Sequence, residues 1–261
     1  MTRKAIVVSI VSHRQGTVVM QLLDDLNRYC GHHDLHVDLT LNVEEEFSVS
    51  PNYFFRISIH RNPYPMGFSA NHNAAFRRNH GYYYCVLNPD VRFTADPLST
   101  LIGHLHGRKG VIAPKVVGIS GKYQCTARRL PSPWQLLRRW LGLHRTDYLL
   151  TKGLIYPDWV AGMFMLFPST VYESIGGFDE NYFLYYEDVD LCTRLRLHGW
   201  AVCLDPAVTI IHDGSYASHR VLRHFFLHLK SMFRFLTSGV YGQVRKIGNE
   251  RKPAYQENKV K

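Results

Sequence analysis

Apolar positions along this chain alternate between two rhythms. Ala5–Ser12 is an unbroken, β-branched run, the pattern of a strand buried on both faces of a parallel sheet. Thr17–Cys30 follows with Val18, Val19, Leu22, Leu23 and Leu26 at helical spacing, closed by Gly31. Leu35–Asn42 alternates as a second strand and Phe54–His60 gives a third. Ser69 is placed to cap a helix that stops by Gly81, and Tyr82–Leu87 is a fourth strand that runs into Asn88-Pro89-Asp90. Asp96–His106 then reads as a helix and Gly110–Ala113 as a strand. After an irregular stretch, Trp159–Phe167 restores the strand pattern, and Thr170 and Glu173 have capping-box spacing for the next helix. A further helix lies within Tyr182–Trp200. Its front carries Glu187, Asp188 and Asp190, its last turn Arg194, Arg196 and His198, and Gly199 ends it, an order that suits the helix dipole. Ala201–Leu204 and Val208–His212 read as closing strands. Strands alternating with helices predict a doubly wound, mostly parallel α/β sheet.

Two stretches depart from this rhythm. Arg128–Arg145 carries five arginines, two prolines and two tryptophans and reads as an inserted basic surface segment. Arg220–Leu236 sets Leu222, Phe225, Phe226, Leu229, Phe233 and Leu236 on one side of a helix, with Arg223, Lys230 and Arg234 facing elsewhere. Such a stripe either packs on the protein's own core or lies on a membrane surface. The tail from Lys246 is polar, with the pattern of a disordered segment.

With 31 Lys+Arg against 21 Asp+Glu, the formal net charge of +10 favours anionic partners: nucleic acid, anionic lipid or diphosphate-bearing substrates. The five cysteines are scattered without CxxC spacing, which points to neither a disulfide framework nor a cysteine zinc site and suits a reducing compartment. No apolar run reaches the ~18–20 residues that a membrane span needs.

Carboxylates stand where strands end and helices begin, the edge at which open α/β sheets bind ligands. Asp90 follows the fourth strand, and Glu187-Asp188 open a later helix. Four segments in this order, LNPDV (Leu87–Val91), WVAGMFML (Trp159–Leu166), GGFDENYFLYYEDVDLCTRLRLHGW (Gly176–Trp200) and a late IIH ending at His212, resemble the family 2 inverting glycosyltransferases with the GT-A fold. The likeness spans roughly residues 5–240 and is greatest to the bacterial rhamnosyltransferases of O-antigen assembly.

That resemblance implies a GT-A catalytic domain over residues 1–218, with a nucleotide-sugar half at 1–115 and an acceptor half at 116–218 that holds the basic insertion 128–145. Residues 219–245 would form an amphipathic, membrane-docking helical segment and 246–261 a polar tail. Inverting transfer is a single displacement in which the acceptor hydroxyl loses its proton as it attacks, so a carboxylate must lie beside it. The family motif assigns this base to Asp188, with Glu187 as the alternate. Ser12, His13, Asn42, Gly67, Asn71, Asn73, Asn88 and Asp90 would meet the donor, and Trp159, Ala161 and Gly162 the acceptor. Asp90 and His212 correspond to ligands of a divalent ion, Mg²⁺ or Mn²⁺, that offsets the charge of the departing diphosphate. The sequence departs from the family's DxD pattern here, because Asn88 occupies the first acidic position.

The implied donor is a nucleotide sugar, dTDP-β-L-rhamnose. The implied acceptor is the 3-hydroxyl of N-acetylglucosamine on undecaprenyl diphosphate, reached from the cytoplasmic face of the bacterial inner membrane by a peripheral, anionic-surface-bound enzyme in lipopolysaccharide biosynthesis. Transfer from UDP-galactose or UDP-N-acetylglucosamine by the same scaffold is the alternative. A nucleic-acid-binding protein lacks any recognisable module here. A non-catalytic sugar-nucleotide binder has no need of Glu187-Asp188.

Overall fold

The computed structural model describes residues 5–49, 52–132, 147–214 and 221–250. Most of the expected basic insertion and the end of the polar tail lie outside them. Strand β1 (Ile6–Ser12) leads to α1 (Gly16–Cys30), β2 (Leu35–Leu41) and β3 (Arg56–Arg61). Helix α2 (Phe68–Arg78), β4 (Tyr83–Leu87), β5 (Val91–Arg92), α3 (Leu98–His104) and β6 (Lys109–Val117) follow. Next come β7 (Tyr123–Gln124), β8 (Ala127–Arg128), β9 (Trp159–Val160), β10 (Phe164–Pro168) and α4 (Ser169–Ser174). The described chain closes with α5 (Glu187–Leu197), β11 (Ala201–His212), α6 (Val221–Leu236) and α7 (Gly239–Glu250).

The main sheet runs β3-β2-β1-β4-β10-β6-β11-β5, and β8 pairs with β9 in a separate ribbon. β3, β2, β1 and β4 are parallel, whereas β10 is antiparallel to both β4 and β6. β1 shows why its β-branched run folds as it does. Ile6, Val8 and Ile10 pack on one face with Leu22, Leu23 and Leu26 of α1. Val7 packs on the other with Leu191, Cys192 and Leu195 of α5. Each face of the strand is therefore core, and no polar alternation is needed. Charges at the sheet's flank are paired: Arg78 grips buried Asp38 with two nitrogens, and Arg92 does the same to Asp25.

Several local expectations are corrected. Trp159–Phe167 is not one strand, because Ala161-Gly162-Met163 separates β9 from β10 and the two pair with different partners. The two closing strands are one, β11, with a register shift between Asp205 and Thr209. Ser69 lies inside α2, and Gly67 is the N-cap. Phe183 explains that choice: its backbone lies 2.8 Å from where a Cβ on residue 67 would sit, and its carbonyl accepts from Phe68 N at 2.8 Å. Thr170 and Glu173 form no capping box, since Pro168 precedes α4 and no side chain caps it.

Candidate active site

The parallel strands end on one edge, and the residues just beyond them open a cleft of about 1210 Å³. His13 follows β1, Asn42 follows β2, and Asn88 to Asp90 follow β4. The antiparallel β10 begins at the same edge, because Asn88 N donates to Met163 O at 2.9 Å. This sets Ala161, Gly162 and Trp159 along the opposite wall. The N-terminus of α5 then delivers Glu187 and Asp188 between the walls.

Asp188 is held by backbone. Its Oδ2 accepts from Gly162 N at 3.1 Å and its Oδ1 from Val189 N at 2.8 Å. Burial pushes its carboxyl up, and those two amides partly oppose the shift. Glu187 is buried more deeply, and its Oε2 has no partner among the described residues. Burial and then the Asp188 charge raise its carboxyl well above the usual carboxylate range. The two carboxyls therefore differ in surroundings: burial and a neighbouring charge disfavour the ionised form of Glu187, whereas two N–H donors and a helix N-terminus favour that of Asp188. Asp190 takes no part, being buried in an ion pair with Arg194 at 2.7 Å.

The turn that presents this pair is strained. Tyr185 and Tyr186 adopt φ of 72° and 67°, in the left-handed region that costs a non-glycine residue about 1–3 kcal/mol. α6 holds them there. Tyr185 Oη bonds His224 Nδ1 at 2.8 Å, and the Tyr186 ring meets those of His228 and Phe235 at 5.3 and 5.8 Å.

At the other end, Asp90 Oδ2 lies 3.2 Å from His212 Nε2, while buried Asp90 Oδ1 has no partner among the described residues. His212 Nδ1 bonds Gln124 Oε1 at 2.9 Å, which orients the ring with Nε2 toward Asp90. A carboxylate with an orphaned oxygen beside an oriented imidazole fits a divalent cation. Among the described residues, His32, His33 and Asp96 also bring three ligand atoms within 4.8 Å of one another, but none of them lines the cleft.

The other residues singled out from the sequence have distinct places. His13, Asn42, Asn71, Asn88, Trp159, Ala161 and Gly162 all line the cleft. Asn42 and Asn71 are joined through Asn62, whose Nδ2 donates to the two side-chain oxygens at 2.8 and 2.7 Å. Asn62 was missed because its partners lie on other elements. Ser12 is off the wall, its hydroxyl accepting from Gln15 N at 3.2 Å at the start of α1. Gly67 is also off the wall, in contact with Phe183. Asn73, expected beside the donor, is turned into the core. It donates to Phe178 O and accepts from Phe178 N and Tyr172 Oη, fixing the turn at Gly177. Buried His72 does line the cleft, with its imidazole pushed down to about 3 by desolvation and so neutral.

Fold and cleft together define a class, the glycosyltransferases of the GT-A fold. Within it, the chain belongs to the family 2 glycosyltransferases. The family described as glycosyltransferase like family 2 matches residues 108–236. Rhamnosyltransferase WbbL of Escherichia coli (strain K12) is 30% identical over 243 residues, which cover 87% of this chain and 90% of that protein. N-acetylglucosaminyl-diphospho-decaprenol L-rhamnosyltransferase of Mycobacterium tuberculosis (strain ATCC 25618 / H37Rv) is 28% identical over 165 residues, 58% of this chain and 53% of that protein. Among solved structures, GalNAc-T7 with UDP, GalNAc and Mn²⁺ matches at a TM-score of 0.64, covering 81% of this chain and 43% of that one. At 12% identity, that likeness is one of fold.

Proposed function

We propose that this protein is an inverting rhamnosyltransferase of cell-surface polysaccharide assembly. It takes L-rhamnose from dTDP-β-L-rhamnose and transfers it to the 3-hydroxyl of N-acetylglucosamine on a polyprenyl diphosphate. Two relatives named as rhamnosyltransferases support the sugar, and the lipid named for the mycobacterial one supports the acceptor. The observation that carries the reading is the pair at the head of α5: Asp188 on the cleft wall with its carboxylate on two backbone amides, beside the buried Glu187.

In this reading Asp188 accepts the proton of the acceptor hydroxyl as that oxygen attacks the anomeric carbon. Its raised basicity suits the task, since a carboxylate of ordinary strength draws a proton weakly. Gly162 N and Val189 N keep it aimed into the cleft. Trp159, Ala161 and Gly162 form the acceptor wall, small at Ala161 and Gly162 so that a sugar ring comes close to Asp188. His13, Asn42 and Asn71 border the nucleotide and donor sugar. Asp90 and His212 would hold Mg²⁺ or Mn²⁺, which when bound supplies positive charge to the departing diphosphate. Asn88 offers the site a neutral oxygen rather than a charged one, so the ion is held more weakly than by two carboxylates.

A lipid-linked acceptor requires contact with a membrane. Among the described residues no helix is long and apolar enough to cross one. Within the stripe on α6, Leu236 packs against the core, but Phe225, Phe226 and Phe233 are 55%, 65% and 69% exposed. Further core contact comes from another face, through Ser231 and Phe235. Exposed aromatics beside Lys230 and Arg234 support peripheral docking on the anionic cytoplasmic face of the inner membrane.

The test is a panel of sugar nucleotides scored by thermal stabilisation with and without Mg²⁺ or Mn²⁺, then by transfer to an N-acetylglucosaminyl-diphospho-lipid. dTDP-rhamnose should stabilise and react. Stabilisation by UDP-galactose or UDP-N-acetylglucosamine instead would replace the donor, and stabilisation by no nucleotide sugar would end the reading.

A further inference from the structure

The acceptor end of the cleft carries Arg128, to which neither the base nor the donor site assigns a task, together with His224 and His228, which also brace the Tyr185-Tyr186 turn. Two arginines line the cleft among the described residues. Arg14 stands beside the end of β1, and Arg128 lies across the cleft at Trp159. The Arg128 guanidinium is stacked 5.5 Å over the Trp159 ring. Among the described residues only its Nε is committed, to Cys125 O at 2.8 Å. Its charge opposes the burial that raises the Asp188 carboxyl and adds to the burial that lowers the His228 imidazole, so all three share one neighbourhood. α6 supplies the remainder, since His224, Leu227 and His228 face the cleft. The contact between Tyr185 Oη and His224 Nδ1 at 2.8 Å fixes the orientation of that ring. A guanidinium and two imidazoles lining the cleft that holds Asp188 have the chemistry of an anion seat.

α6 also shows where the rest of the ligand goes. Its inner face holds His224 and His228, and its outer face exposes Phe225, Phe226 and Phe233. A molecule that presents a hydroxyl to Asp188, then a diphosphate, then a hydrocarbon chain meets these surfaces in that order. We propose that Arg128, His224 and His228 form the seat for the acceptor's own diphosphate, separate from the donor diphosphate at Asp90, and that this seat selects diphosphate-linked acceptors. The inference rests on the proposed lipid-linked acceptor. The alternative role for Arg128 is structural, as a lid on Trp159 and a counter-charge to Asp188.

The experiment compares two synthetic acceptors, N-acetylglucosamine linked to an alkyl chain through a diphosphate and through a plain ether. The readout is the ratio of their kcat/KM values. Arg128→Met should lower that ratio about ten- to a hundredfold, the range for losing a charge-assisted hydrogen bond. His224→Gln and His228→Gln should lower it less, and Arg128→Lys should keep most of it. An alkyl diphosphate without the sugar should inhibit the wild-type enzyme competitively against acceptor and not against donor. A ratio that stays constant across the variants, even as activity falls, would assign Arg128 the structural role and overturn the seat. Equal use of both acceptors by the wild type would overturn it as well, leaving the rhamnosyltransferase reading intact. Donor binding with transfer to neither acceptor would instead remove the acceptor reading on which the seat rests.

Discussion

The two ends of the cleft each present one aspartate, and they are built in opposite ways. Asp188 has both oxygens on backbone amides, at 3.1 and 2.8 Å. Asp90 has one oxygen near His212 and one buried without a partner among the described residues. A carboxylate held by two amides and desolvated from above is aimed and basic, ready to take one proton. A carboxylate with an unpartnered buried oxygen beside an oriented imidazole is incomplete, and in the proposed reading a cation completes it. Residue type does not separate these tasks; the donors around each group do.

The largest effect should come from breaking the basic end. Asp188→Asn is expected to lower kcat about a hundred- to ten-thousandfold, the span of a lost general base, as measured by steady-state transfer. A variant within tenfold of wild type would remove Asp188 from that role. At the other end, Asp90→Ala should abolish the response to added Mg²⁺ or Mn²⁺ and raise the donor KM. Gln124→Leu, which frees His212 Nδ1, should weaken metal affinity about tenfold with little change in kcat. Equal losses of kcat in all three variants would erase the contrast between the ends.

Acid should act on the Asp188 end. Its carboxyl is raised by burial, and the ionised form is the base, so kcat/KM should fall as pH drops through a value above the ordinary aspartate pKa. Glu187→Gln should leave that limb in place, because a neutral amide imitates the protonated acid. The sign for stability follows from the same shift. Glu187 binds its proton more tightly in the folded state, so its contribution is present below the ordinary carboxylate pKa and lost as pH rises through the raised one. Denaturant unfolding should show the Gln variant gaining on wild type as pH increases. The smallest effect on catalysis belongs to Asn73→Ala. It strips partners from Phe178 and Tyr172 and should cost about 1–3 kcal/mol of stability while leaving the donor KM unchanged.

The sequence made the parallel half of the sheet legible, because β1 is buried on both faces and Leu35–Leu41 alternates enough to mark a strand. It left β10 undirected, since a strand's pattern is the same whichever way it runs. The capping signals misled for local reasons: Ser69 was outweighed by the need for Gly67 against Phe183, and the Thr170–Glu173 pair by Pro168. Asp90 and Asp188 stood out because a carboxylate at a strand end or helix start is a local feature. Asn62, His224, His228 and the strained Tyr185-Tyr186 turn did not, because their partners lie 9 to 49 positions away and only the folded chain joins them. Asn73 had the right neighbours in sequence and the wrong face of α2.

The account turns on the separation of the two aspartates, and calorimetric titration of dTDP-rhamnose with Mn²⁺ into the Asp188→Asn and Asp90→Ala proteins tests it most directly. The Asp188→Asn protein should bind the donor as tightly as wild type with the same metal requirement, though it no longer transfers, and the Asp90→Ala protein should lose the metal-dependent part of binding. Donor affinity that collapses in the Asp188→Asn protein and survives in Asp90→Ala would contradict the assignment of either end.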